Sequence, residues 1–298
     1  MKLSYIIIAH KNPKQLHRLI KSLNFGDVSF YIHINRKSRL EEFELELSGV
    51  PCKITWLSRQ VIKQNVGFVE ATLNGMATIL KNEPSVDFVL LISGQDYPIK
   101  PLRDISLFLE NHLGSSFINF GHMPTNFWLN GGMNRIQKYH FWFLGKHYTY
   151  PPDGPLVSLK SRLFYPLVGL FFPKKRNFPP GLEPFGGLPW WCITSEACHY
   201  ILEFLSKRPD YLKFHRYTWA PEEGFFQTIL LNSEKFANTI IDEDLRYIEW
   251  VGLAVHPEVL TKKDFNKLVE TPKLFARKFD IQVDSTILDM IDEKLLLL

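Results

Sequence analysis

The chain has 298 residues, 45% hydrophobic and 22% charged, a composition that excludes a disordered or fibrous protein. Its 35 basic and 31 acidic residues leave a formal charge of +4 without a long basic run. Nucleic acid is therefore not indicated, and the mild excess suits an anionic small molecule or an anionic membrane surface. Cys52, Cys192 and Cys198 have neither CxxC nor Cys/His metal spacing and read as reduced packing residues in a reducing compartment. The apolar run at the N-terminus is too short for a signal peptide, and no stretch has the length to span a bilayer, so a cytoplasmic protein is expected.

Residues 3–9 are apolar and β-branched and predict a buried strand. After the turn at Asn12-Pro13, Leu16, Leu19, Ile20 and Leu23 recur at helical spacing. Residues 30–35, 53–57 and 87–93 predict further strands, with a helix over 69–80. Strand alternating with helix means a doubly wound α/β half, and ligands in such sheets bind beyond the carboxyl ends of the strands. Those ends carry His10, Asn35 and Ser93-Gly-Gln-Asp96. Asp96 suits both a cap for the turn before Pro98 and a ligand contact.

Residues 114–190 are irregular and rich in Gly, Pro and aromatics, the composition of binding loops. Mixed aromatic and basic residues here, Arg135 and Lys138 among them, suit sugar rings as well as an aromatic core. Residues 156–172 read as a core helix or as an apolar helix at a surface touching lipid. Residues 186–194, with Trp190 and Trp191, read as a turn feeding a strand, 196–205 as a helix, 239–241 as strand-like and 285–298 as a helix. No repeat or linker is visible, so the chain reads as one domain.

The segment Trp219-Ala-Pro-Glu-Glu-Gly-Phe-Phe-Gln-Thr-Ile-Leu230 sets two carboxylates before an apolar helix. Pro221 fits a first helical turn, and acids there suit the positive end of the helix dipole. The competing reading makes one glutamate a general base at a pocket rim.

Six segments taken together resemble the Core-2/I-branching β-1,6-N-acetylglucosaminyltransferase family, which includes the peptide O-xylosyltransferases. They are Ala9-His-Lys-Asn-Pro13, Tyr31-Ile-His-Ile-Asn-Arg-Lys-Ser38, Leu91-Ile-Ser-Gly-Gln-Asp-Tyr-Pro-Ile-Lys100, Pro221-Glu-Glu-Gly-Phe-Phe-Gln-Thr-Ile-Leu230, Arg246-Tyr-Ile-Glu-Trp250 and Leu274-Phe-Ala-Arg-Lys-Phe-Asp280. The resemblance implies a GT-A-type α/β fold, a single Rossmann-like domain over 1–298 with a mixed central sheet. Residues 1–110 would form its nucleotide-binding half and 111–298 its acceptor-binding and catalytic half. It also implies an inverting, metal-independent transfer from a UDP-sugar. A glycan or lipid-linked glycan acceptor and a bacterial-type cytoplasmic enzyme, with peripheral contact at the inner face of the membrane, are further expectations. N-acetylglucosamine is the expected sugar. A UDP-xylose-dependent enzyme and a non-catalytic carbohydrate-binding protein are the alternatives.

Carried over position by position, Glu223 would be the base with Glu222 its neighbour. Arg277 and Lys278 would hold the diphosphate in place of a metal, with Phe275 and Phe279 suggesting a partly buried segment. His10, Asn35 and Asp96 would line the donor site, although the family pattern has aspartate where this chain has Asn35. Trp250 matches an acceptor-contacting tryptophan, and Trp191 and Arg135 are further candidate acceptor contacts. No cofactor or metal is expected: Ser93-Gly-Gln-Asp96 lacks an acid pair, and Asp242-Glu-Asp244, a literal Asp-x-Asp, reads as a solvated turn because it falls late in the chain. A glycoside hydrolase fits less well, since its two acids must lie across the bond and adjacent Glu222 and Glu223 point apart.

Overall fold

A computed structural model of the chain describes residues 1–62, 66–126, 128–143, 146–152, 159–252 and 256–297. Its first third alternates β1 (Lys2–Ala9), α1 (Pro13–Leu23), β2 (Asp27–Ile34), α2 (Leu40–Leu47), β3 (Lys53–Trp56), α3 (Gly67–Asn82) and β4 (Phe88–Ser93). There follow β5 (Tyr97–Pro98), α4 (Leu102–Glu110), β6 (Ser116–Ile118), β7 (Gly121–His122), α5 (Asn134–Gln137), β8 (Tyr139–Phe143), β9 (Lys146–Tyr150) and α6 (Leu159–Phe171). The last third holds β10 (Phe185–Gly186), β11 (Trp191–Thr194), α7 (Ser195–Lys207), α8 (Pro209–His215), α9 (Phe225–Leu231), β12 (Ile240–Ile241), β13 (Arg246–Ile248), α10 (Phe265–Glu270), β14 (Phe275–Arg277) and α11 (Thr286–Ile291).

Seven strands form the central sheet in the order β12-β6-β11-β4-β1-β2-β3. Strands β1 to β4 run parallel, and β11 runs antiparallel to both β4 and β6. This is the α/β architecture with a mixed sheet that the sequence predicts. Strand β1 lies inside the sheet, between β4 and β2, and is buried from Leu3 to Ala9, which explains a continuous apolar run without alternation. Tyr5 and Ile7 enter one core with α1, while Ile6 and Ile8 enter the other with α3 and α9. Helix α1 starts at Pro13 behind Asn12, whose φ of 56° turns the chain sharply off β1.

The predicted strands and helices of the first half are present within a few residues of their expected bounds. Helix α2 was not anticipated: it buries only Phe43 and Leu47 among four glutamates, too thin a stripe to read. The stretch 114–190 is also more ordered than a set of binding loops. It adds β6 to the main sheet and pairs β8 with β9 as a hairpin. Its aromatic-rich sequence hides the period of two. The helix expected over 156–172 is α6, and residues 153–158 lie outside the described residues. At the end of the chain α11 stops at Ile291 and gives way to a wider turn over Asp292–Leu296.

A small sheet positions the charged residues of interest. Strand β14 pairs parallel with β13 and antiparallel with β5, which follows the turn after β4. Arg246 and Arg277 are thereby carried to the carboxyl end of the central strands.

Candidate active site

At the ends of β1 and β2, His10 is exposed, and its carbonyl accepts a hydrogen bond from Ser38 Oγ at 2.6 Å. The Asn35 side chain donates to the Ile62 carbonyl at 3.2 Å and accepts from the Lys37 N–H at 3.2 Å. Both ends of its amide are thus used to shape the loop. Arg59 clamps the same loop, donating to the carbonyls of Ile34 at 3.3 Å, Asn35 at 3.1 Å and Ser38. Beneath it, the buried His33 accepts from the Gln60 N–H at 2.8 Å, and burial lowers its pKa to about 4. Arg59 belongs to no pattern that sequence reasoning could use as a site signal, and His33 entered only within the segment 31–38.

Asp96 corrects an expectation. It is wholly buried and offers no surface to a ligand. Its Oδ2 accepts from Arg246 Nε at 3.1 Å, and its Oδ1 lies 3.6 Å from Arg277 Nη1. The strand-end carboxylate therefore holds arginines. Arg277 lies over the Trp190 ring at 4.2 Å, and its Nε and Nη1 have no hydrogen-bond partner. Burial and the charge of Arg246 lower its pKa, while Asp96 opposes them. The Asp242-Glu-Asp244 segment is corrected as well. Asp242 is exposed and caps Asn119 and Phe120, but Asp244 is buried, and its Oδ1 accepts from the Arg246 N–H at 3.1 Å. It is part of the arginine cluster and not a solvated turn.

Lys278 sits next to Arg277, and no ion pair to it occurs among the described residues. Burial, Arg277 and Lys11 lower its pKa, against Glu258 and Asp280. A cation in this position, without a carboxylate partner, is stabilised by an anion. Asp280, which the sequence reading passed over, anchors this segment: it takes Lys11 Nζ at 2.6 Å and Asn12 Nδ2 at 2.8 Å. Gln15 and Gln95 both donate to the Phe279 carbonyl at 3.0 Å. The basic pair from the end of the chain is thus tied to the end of β1, and Phe275 and Phe279 are fully buried beneath it.

Glu223 ends a single 3-10 turn, Pro221–Glu223, just before α9. Its carboxylate is paired with Arg135 Nη1. Burial raises its pKa, and Arg135 counters by charge and hydrogen bond. Arg135 is itself flanked by aromatic faces, with Trp128 at 4.0 Å and Trp219 at 5.2 Å. A Cβ at Gly132 or Gly186 would come within 2.2 or 2.3 Å of the Trp128 ring, so both positions need glycine. Glu222 is more deeply buried, and its Oε2 is unpartnered. Burial and the neighbouring Glu223 push its pKa up to about 8. Trp128, Arg135, Phe178, His215, Trp219 and Glu223 line one recess, to which Glu222 does not contribute.

The segment after β10 joins this recess to the basic pair. Gly187 N–H donates to the Glu223 carbonyl at 2.7 Å, and Trp190, three residues on, carries Arg277. Three residues span at most about 10 Å. The backbone that hydrogen-bonds to Glu223 is therefore within a few residues of the ring that Arg277 covers. Trp250 is half-exposed. Trp191 is not available to an acceptor: it is wholly buried, edge-on against Phe226 at 5.6 Å, because β11 turns it into the core behind the sheet. Trp190 is buried as well, but its ring carries Arg277.

Residues 3–269 match the family model described as Core-2/I-Branching enzyme, and the chain belongs to that family. It is 26% identical to beta-glucuronosyltransferase GlcAT14B of Arabidopsis thaliana, over 99% of this chain and 66% of that protein. It is 24% identical to xylosyltransferase 2 of Rattus norvegicus, over 98% of this chain and 33% of that protein. The chain thus spans just under two thirds of the first relative and a third of the second.

Proposed function

We propose that the protein is an inverting glycosyltransferase that moves a sugar from a UDP-sugar to a hydroxyl of a glycan or lipid-linked glycan, on the cytoplasmic side, forming a β-linkage. The observation that carries the reading is an arginine-held glutamate, linked through residues 187–190 to Arg277, whose Nε and Nη1 have no hydrogen-bond partner, and to Lys278 beside it. Glu223 removes the proton from the acceptor hydroxyl as its oxygen attacks the anomeric carbon. The bond from that carbon to UDP breaks, and its electron pair goes to the β-phosphate oxygen. Arg277, by its fork, and Lys278, as a point charge, neutralise that oxygen in place of a metal ion. Asp96 acts through Arg277, as a positioning residue. N-acetylglucosamine is our first expectation for the sugar. The names of the relatives add xylose and glucuronic acid.

The test is UDP release over UDP-N-acetylglucosamine, UDP-xylose and UDP-glucuronic acid with glycan acceptors, with and without EDTA. Acceptor-dependent release that EDTA leaves intact is expected, and Glu223→Gln should lower it by roughly a thousandfold, within the usual range for a general base. Activity that needs added manganese would overturn the cationic assignment. Full activity in Glu223→Gln alongside a dead Glu222→Gln would move the base to the neighbouring residue.

A further inference from the structure

Helix α6 is oriented against the usual rule for a globular surface. Its inward side is a narrow aromatic seam. Tyr165 stacks on Tyr150 at 6.4 Å, and Phe172, just past the helix, packs against Tyr139 at 4.9 Å and Phe141 at 5.1 Å. The opposite side carries Leu163, Leu167, Leu170 and Phe171, exposed by 67%, 58%, 78% and 76%. These positions follow i, i+4, i+7 and i+8, one stripe along the helix, and contiguous apolar surface of this kind marks an interaction site.

Charge identifies the partner. Between Asp153 and Glu183 the chain has five basic residues and no acidic one, against a near balance overall. Lys174 and Lys175 follow the stripe directly and are exposed. Arg176 behind them is buried and donates to the carbonyls of Lys138 at 3.0 Å, Tyr217 at 3.2 Å and Phe214, which fixes where the lysines stand. With Lys138, Gln137 and Asn177 they line an open groove of about 560 Å³ beside the end of the helix. A symmetric contact between two copies would bring like charges together. An anionic bilayer meets both features at once, since apolar side chains enter the headgroup boundary and lysines meet lipid phosphates.

We propose that the outward stripe of α6 and the adjoining lysine groove dock the protein on an anionic lipid surface. This goes beyond the transfer reaction and is tested without it. Wild-type protein should sediment with vesicles of phosphatidylglycerol and phosphatidylcholine and stay in solution with phosphatidylcholine alone. Binding should weaken as salt is raised. Lys174→Gln with Lys175→Gln should lower vesicle partitioning roughly thirtyfold, from about 1 kcal/mol for each lysine near the surface. Leu167→Ser with Leu170→Ser should lower it by roughly tenfold or more. Failure of the wild type to bind anionic vesicles, or unchanged binding by the lysine variant, would overturn the proposal. So would a wild-type dimer that the leucine variant converts to monomer. Should the leucine variant fail to fold by circular dichroism, the lysine variant decides, because its positions are exposed and leave no buried hole.

Discussion

Arg246 and Arg277 approach Asp96 from neighbouring strands, and what surrounds each differs. Arg246 gives Nε to Asp96, Nη2 to the Leu91 carbonyl at 2.7 Å and Nη1 to the Asp244 carbonyl. Arg277 has Trp190 on one face and a 3.6 Å approach to Asp96, but its Nε and Nη1 make no hydrogen bond. A buried polar group with all its partners holds a structure together, whereas one left without them is costly unless a ligand completes it. The same contrast separates the carboxylates. Glu223 is paired on the rim by Arg135, while Glu222 lies buried with an unpartnered oxygen.

The first and largest effect is expected at the saturated arginine. Arg246→Met leaves Asp96 without its closest cation, and urea denaturation should show a loss of about 3–5 kcal/mol. A loss below about 1 kcal/mol would break the comparison, because Arg246 would then be no more structural than its neighbour. Arg277→Met should do the reverse. Its midpoint in urea should move little, while kcat falls roughly a hundredfold and the donor KM rises less, since charge on the leaving phosphate grows in the transition state. Equal effects of both substitutions on stability, with activity intact, would mean that Arg277 is a second structural arginine. Lys278→Ala should cost about tenfold in kcat, less than Arg277 because water screens a partly exposed ammonium.

A pH-dependent effect sharpens the carboxylate half of the comparison. Glu222 has a folded pKa of about 8 against an ordinary 4.5. The folded state therefore holds its proton where the unfolded state has lost it, and stability should fall as pH rises from about 4.5 towards about 8. Thermal melts of Glu222→Gln should show a shallower decline over that window than the wild type. An unchanged pH slope would mean that Glu222 ionises normally in the folded protein.

Much of the fold was readable along the chain. The four parallel strands are short β-branched runs between periodic helices, and all of their signal lies within a few residues. The candidate base and the basic pair were readable as parts of segments, with Phe275 and Phe279 announcing burial. Trp191 was misread because the sequence does not say that β11 inserts between β4 and β6, which buries it completely. Asp96 was misread because its partner Arg246 is 150 residues away. The loop clamp by Arg59 left no trace, since its acceptors are backbone carbonyls that every residue carries.

By itself, then, the sequence determined the alternation of strand and helix, the α/β class and the residue types available for proton and phosphate chemistry. Those depend on local periodicity and composition. Only the tertiary structure decided that Asp96 holds arginines, that Arg135 holds Glu223 and that Trp191 is wholly buried while Trp190 carries Arg277. It also decided that the apolar stripe of α6 faces outward. Each of these depends on which distant segment packs alongside, and burial and pairing are properties of that packing, not of the residues taken in order.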